Sequence, residues 1–143
     1  MSREIEVPLV KVNDTFLPLL KVEMECPKLG REYLIYALPD SGSRFSVIRN
    51  DTFLRCFNES SLKSRLVDKV MISNILTPKE RYSIKFHFVE LNGTLQIPVA
   101  PLDFVNLGEG IYPSLILGRD DFFSRTIICF DRNIRLIIKA DSL

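Results

Sequence analysis

The sequence predicts an all-β domain, a closed barrel or sandwich with one or two short helices. Three observations carry that reading. Apolar residues recur with a period of two along most of the chain. The apolar runs are short and end at turn residues such as Asn13-Asp14, Pro27-Lys28-Leu29-Gly30 and Asn92-Gly93. No segment sustains a helical period over the length of an ordinary helix. At 143 residues the chain predicts one domain spanning 1–143.

The elements follow in order. Glu4-Ile5-Glu6-Val7 alternates, and Pro8 to Val12 extends it to the turn at Asn13-Asp14. Phe16 to Met24 reads as a second strand. Glu32 to Leu38 is nearly continuously apolar, as a strand buried on both faces should be. Phe45 to Ile48 is a short strand. Asn50 or Asp51 can cap a short helix through Phe57. Ser60 to Lys69 is a helical turn or a loop. Val67 to Ile75 and Tyr82 to Leu91 form the arms of a hairpin around Leu76-Thr77-Pro78-Lys79-Glu80. Asn92-Gly93 tolerates positive φ and predicts the next hairpin. Thr94 to Val105 contains Pro98 and Pro101, which predicts an edge or a bend. Gly108-Glu109-Gly110 is a loop. Ser114 to Leu117 is a strand ending at Gly118. Asp120 to Ser124 predicts one short helix with acids at its start. Thr126 to Phe130 and Asn133 to Lys139 close the chain as a hairpin over Asp131-Arg132.

Composition limits the function classes. A hydrophobic content of 46% fits a packed core and excludes a disordered tail. Nineteen basic residues against eighteen acidic ones give a net charge of +1. No global field argues for nucleic acid or a membrane surface as partner. There is no phosphate-binding glycine loop, no run of membrane-span length and no signal-peptide pattern. Cys26, Cys56 and Cys129 cannot all pair in one chain. Their spacing matches no zinc set, and His87 in its alternating strand adds none. The expectation is free thiols in a reducing, cytoplasmic compartment rather than a Cys26–Cys56 bridge. Without a secretory signal, the sequons at Asn13, Asn50, Asn58 and Asn92 read as turn residues. No metal or cofactor is called for.

Two motifs carry chemistry. The first is Tyr36-Ala37-Leu38-Pro39-Asp40-Ser41-Gly42-Ser43, and the second is Ser114-Leu115-Ile116-Leu117-Gly118-Arg119-Asp120. Each ends an apolar run at a glycine-containing turn. Either one alone is ordinary turn chemistry. Together, in this order, they are far more specific. The pair resembles the aspartic proteases of retroviruses and retroelements, where hydrophobic-Asp-Thr/Ser-Gly precedes hydrophobic-hydrophobic-Gly-Arg-Asp/Asn. The Asp-Ser-Gly-Ser wording is most similar to peptidases of BEL/Pao retrotransposons.

That resemblance implies a retropepsin-like fold and a homodimer. The chemistry needs two carboxylates sharing a proton, and the chain offers one in the right turn. Asp40 of each subunit would supply one half. The Ser41 hydroxyl would brace the two turns, Gly42 would give the bend room, and Gly118 would pack beneath. Ile72, Ile75 and Leu76 would lie on a flap over a polypeptide substrate. Three departures carry expectations of their own. Pro39 removes an N–H and restrains Leu38, which predicts a displaced catalytic strand. The flap segment from Ile72 to Pro78 has no glycine. Arg44 stands where many viral members have an acid, so Arg44 and Arg119 repel unless Asp120 or Asp121 intervenes. The alternative is an inactive, domesticated fold acting as a dimerisation or protein-interaction module. An unrelated β-barrel binding domain is a third reading.

Overall fold

The computed structural model of the chain describes residues 3–72, 75–103 and 113–141. The segment expected as a loop at Gly108-Glu109-Gly110, and the strand end at Val105, lie outside the described residues. The first apolar stretch breaks at Leu9 into β1 (Arg3–Pro8) and β2 (Val10–Val12). The second breaks around Pro18 into β3 (Thr15–Leu17) and β4 (Leu20–Cys26). Proline lacks the donor that would continue either strand. The small hairpin β2–β3 turns at Asn13, with φ of 56°.

The chain continues through β5 (Arg31–Pro39), β6 (Ser46–Arg49), helix α1 (Asn50–Cys56), the single turn α2 (Glu59–Leu62) and β7 (Leu66–Val70). Asn50 and Asp51 lie within the first turn of α1 and not at its cap, which is Arg49. After α2 come β8 (Lys79–Phe88), β9 (Gly93–Leu102) and β10 (Leu115–Leu117). The helix expected over Asp120–Ser124 is instead a turn running into a 3₁₀ segment, Phe123–Arg125. Then β11 (Thr126–Asp131) and β12 (Arg135–Ala140) close the chain.

Six strands close into a mixed barrel in the order β4-β5-β10-β6-β9-β8, with β8 returning to β4. The pairs β5–β10 and β6–β9 are parallel and the others antiparallel. β7 pairs with the outer part of β8 as a hairpin. Alternation along β4 sends Leu20, Val22, Met24 and Cys26 inward. Phe86 and Phe88 of β8 join them, with Phe53 and Phe57 sealing one side and Phe122 stacked on Phe88 at 5.3 Å.

One sequence expectation is corrected by this topology. Pro98 and Pro101 do not mark an edge, because β9 lies between β6 and β8. β6 begins opposite Val99, and the pairing with β8 ends at Val99. Each proline therefore sits where one neighbour is missing, and no ladder bond is lost. The terminal strands also find partners within the chain. β1 and β11 flank β12 in a three-stranded antiparallel sheet, so the free edges belong to β1 and β11.

Cys26 and Cys56 are disulfide-bonded, and only Cys129 is a free, exposed thiol. This overturns the expectation of free thiols, and the argument from thiols for a reducing compartment falls with it. The bridge joins the end of β4 to the last residue of α1, contacts that sequence spacing does not reveal. It spans 30 residues, a segment that contains the Asp40 turn. Constraining a loop of that length in the unfolded chain contributes about 3.6 kcal/mol. Replacing both cysteines by serine should lower the unfolding free energy by about that amount in a guanidinium titration under non-reducing conditions.

Candidate active site

Strand β10 threads between β5 and β6 and ends beneath the Asp40 turn. Leu117 pairs in parallel with Pro39, and Leu115 and Ile116 pair with Ile48 and Val47. Backbone bonds continue past the strand. Leu117 O accepts from Asp40 N at 3.0 Å, Ser43 O from Arg119 N at 2.8 Å, and Arg44 O from Asp120 N at 3.0 Å. The whole first motif is thus stitched to the second.

Pro39 does not displace this strand. β4 ends its pairing at Leu20 opposite Ala37, so β5 has no ladder partner on that side at Pro39. The missing N–H costs nothing there, while Asp40 keeps its bond to Leu117.

Asp40 is half-buried at the head of the turn. Its Oδ1 accepts from Gly42 N at 2.9 Å, and its carbonyl accepts from Ser43 N at 3.1 Å. Its Oδ2 has no hydrogen-bond donor among the described residues. Ser41 is exposed, and its carbonyl accepts from Arg119 Nη1 at 2.7 Å. Gly42 is exposed, and a Cβ added there would meet Asp40 Oδ1 at 3.1 Å. Gly118 is under a harder constraint. A Cβ on it would lie 2.5 Å from the Phe45 carbonyl carbon and 2.7 Å from the Arg44 oxygen. Both are backbone atoms that cannot rotate away.

Below the turn, polar groups are satisfied in a chain. Gly118 N donates to Ser46 Oγ at 3.0 Å, and Ser46 N donates to Asp121 Oδ2 at 3.3 Å. Burial pushes the Asp121 carboxyl up from its ordinary value, with the bonds from Ser46 opposing. Sequence reasoning assigned no role to Ser46. Its only signal was a small polar residue at the start of an apolar strand.

The two arginines do not confront each other. Arg44 Nε donates to Asp120 Oδ2 at 3.0 Å, while Arg119 turns to the Ser41 carbonyl. The charge pair is reversed relative to the acid expected at Arg44, and Asp120 supplies the acid from the second motif.

Ile72, Ile75 and Leu76 lie apart from this cluster in sequence, at the end of the β7–β8 hairpin. Ile75 N donates to Ile72 O at 3.0 Å. Ile72 and Ile75 are half-buried, whereas Leu76 is 94% exposed and Met71 57%. At the hairpin base, Arg81 clamps Asp68 with two bonds of 2.8 and 2.7 Å. His87 lies elsewhere on β8 with its Nδ1 3.2 Å from Thr94 Oγ1, and the site built around Asp40 does not use it. Among the described residues, no three His, Cys, Asp or Glu side chains are grouped to hold a metal, and no helix is long and apolar enough to cross a membrane.

Two outcomes follow from this geometry. Gly118→Ala forces backbone apart and should cost about 3 kcal/mol or more, read as a lowered midpoint in chemical denaturation. The second concerns acid. The Arg81 fork holds the Asp68 carboxyl below its ordinary 3.8. A depressed carboxylate contributes stability above the unfolded value and loses it as pH falls through the folded one. The melting temperature should therefore fall on acidification below about pH 4, and Arg81→Gln should make that fall shallower.

No family model matches the chain, and no curated protein matches it. Among solved structures it is similar to the crystal structure of a retropepsin-like aspartic protease from Rickettsia conorii. The two are 11% identical, with a TM-score of 0.56, over 98% of this chain and 94% of that one. At that identity the likeness is one of backbone course, over nearly the full length of both chains. The chain has a retropepsin-like fold.

Proposed function

We propose that two copies of the chain form an aspartic endopeptidase, each copy supplying one Asp40. The observation that carries this reading is the presentation of that carboxylate. Asp40 is fixed by its backbone to Leu117 and by Oδ1 to Gly42 N, with Oδ2 left to a partner. One such half per chain fits a two-fold assembly.

In that assembly, one Asp40 carboxylate takes a proton from water as it attacks the peptide carbonyl. The other, protonated, donates to the carbonyl oxygen. Collapse of the tetrahedral species breaks the C–N bond, and a proton passes to the leaving amine. The exposed Ser41 hydroxyls brace the paired turns. Met71 and Leu76 on the hairpin offer apolar surface to a bound polypeptide. The free edges of β1 and β11, with Ile127, Phe130 and Ile134 more than half exposed, offer the subunit contact. The Asp-Ser-Gly-Ser wording supports a retrotransposon origin of the BEL/Pao kind.

A second reading is favoured by one observation. The hairpin tip has Leu76-Thr77-Pro78 and no glycine, so it is poorly suited to close and hydrogen-bond a substrate strand. The chain would then be an inactive dimerisation or protein-interaction module.

One experiment separates the readings. Sedimentation at high micromolar concentration should give a dimer. Peptide hydrolysis by that dimer should be slow, with a bell-shaped pH profile below neutrality, and Asp40→Asn should abolish it while leaving the melting temperature nearly unchanged. A dimer without hydrolysis supports the module, and a strict monomer removes the protease and the dimerisation module, leaving only a protein-interaction module.

A further inference from the structure

The hairpin and the Asp40 turn are joined by a contact that neither motif contains. Phe45 follows Arg44 in the turn and is half-buried. The Arg44 guanidinium carbon lies 4.8 Å from the Phe45 ring centroid, and that of Arg81 lies at the same distance. Two cations on one ring repel unless each is neutralised. Asp120 neutralises Arg44 and Asp68 neutralises Arg81. The Arg81 side chain is 11% exposed, so its position is held by packing as well as by charge. Asp120 and Asp121 add a further attraction to Arg81 from below. The line of contact therefore runs from Asp68 on β7 through Arg81 on β8 and the Phe45 ring to Arg44 and Asp120. It ends where Arg119, next in sequence to Asp120, grips the Ser41 carbonyl.

We propose that Arg81 is a positioning residue that registers the β7–β8 hairpin against the Asp40 turn by laying its guanidinium on the Phe45 ring. This rests on the reading of Asp40 as catalytic and of the hairpin as a flap, but the mechanical link stands or falls by itself. The base of the hairpin is held at Arg81, six residues after Ile75. Arginine suits the task because its planar fork meets the Asp68 carboxylate with one edge and the ring with its face. Lysine is a compact point charge that can approach the carboxylate or the ring, but it has no planar fork to hold both at once.

The test uses the intact protein and hydrogen exchange resolved by segment. Arg81→Gln and Phe45→Leu should each speed exchange about tenfold in both 66–70 with 79–82 and 43–46. The double variant should exchange no faster than Arg81→Gln in the hairpin and no faster than Phe45→Leu in 43–46, because the Arg81–Phe45 contact is common to both changes. Phe45→Tyr keeps the ring and should keep wild-type exchange, whereas Arg81→Lys should restore it only in part. Where hydrolysis is measurable, Arg81→Gln should raise KM about tenfold with kcat within about twofold, because clamping is lost while Asp40 stays in place. Faster exchange confined to the hairpin, additive effects in the double variant, or full rescue by lysine would each overturn the link. An unchanged KM in an active enzyme would do the same for its role in substrate binding. If wild-type protein cleaves nothing, the protease reading fails, and exchange alone still decides whether the link exists. If Arg81→Gln does not fold, the comparison of Phe45→Leu with Phe45→Tyr decides it.

Discussion

At Gly118 three stretches of backbone converge with no room for a methyl group. The end of β10, the Asp40 turn and the start of β6 all pass there, and a Cβ would stand 2.5 Å from the Phe45 carbonyl carbon. Because Gly118 has no side chain, Arg119 N and Asp120 N can reach the carbonyls of Ser43 and Arg44. Those bonds, with Asp40 N on Leu117 O, hold the turn at the head of the parallel pair β5–β10. The aim of the Asp40 carboxylate therefore depends on a residue far from it in sequence. Close packing of backbone on backbone admits no gradual relaxation, which is why this point governs the geometry around it.

The polar groups made necessary by this crossing are satisfied in two directions. Inward, Ser46 accepts from Gly118 and donates its own N–H to Asp121, so a buried carboxylate is retained with a partner. Outward, the charges Arg44 and Asp120 are exchanged relative to the acid expected after the turn. An ion pair between two mostly exposed side chains contributes little to stability. Its value lies in placement, since it settles Arg44 beside Phe45 and away from Arg119.

The disulfide acts on the same segment from its ends. Cys26 and Cys56 bracket β5, the Asp40 turn, β6 and α1, and both lie in the core. The barrel crossing fixes the middle of this stretch and the covalent bridge fixes its limits. The hairpin is tied at its base by the Arg81–Asp68 pair, with Leu76 almost fully in solvent.

The sequence by itself determined the fold class, the order of the strands and the residues of the two motifs. Alternation of period two survives in β4 and β8 because one face of each is buried, and the turns at Asn13, Asn92 and Arg132 adopt positive φ. The meeting of Asp40 and Gly118 was legible only through the paired motifs. Spacing and periodicity say nothing about which strand threads between which. Four matters were decided by tertiary structure alone. Pro39, Pro98 and Pro101 are harmless because a neighbouring strand ends beside each, a fact of register that local propensity cannot contain. Cys26 meets Cys56 because α1 folds back on the end of β4. β1 pairs with β12 because the barrel brings the chain ends together. Phe45, Arg44 and Arg81 meet across 36 positions because β8 passes beside the turn. In each case the cause is contact between segments distant in sequence, which is information that a local pattern of residues does not carry.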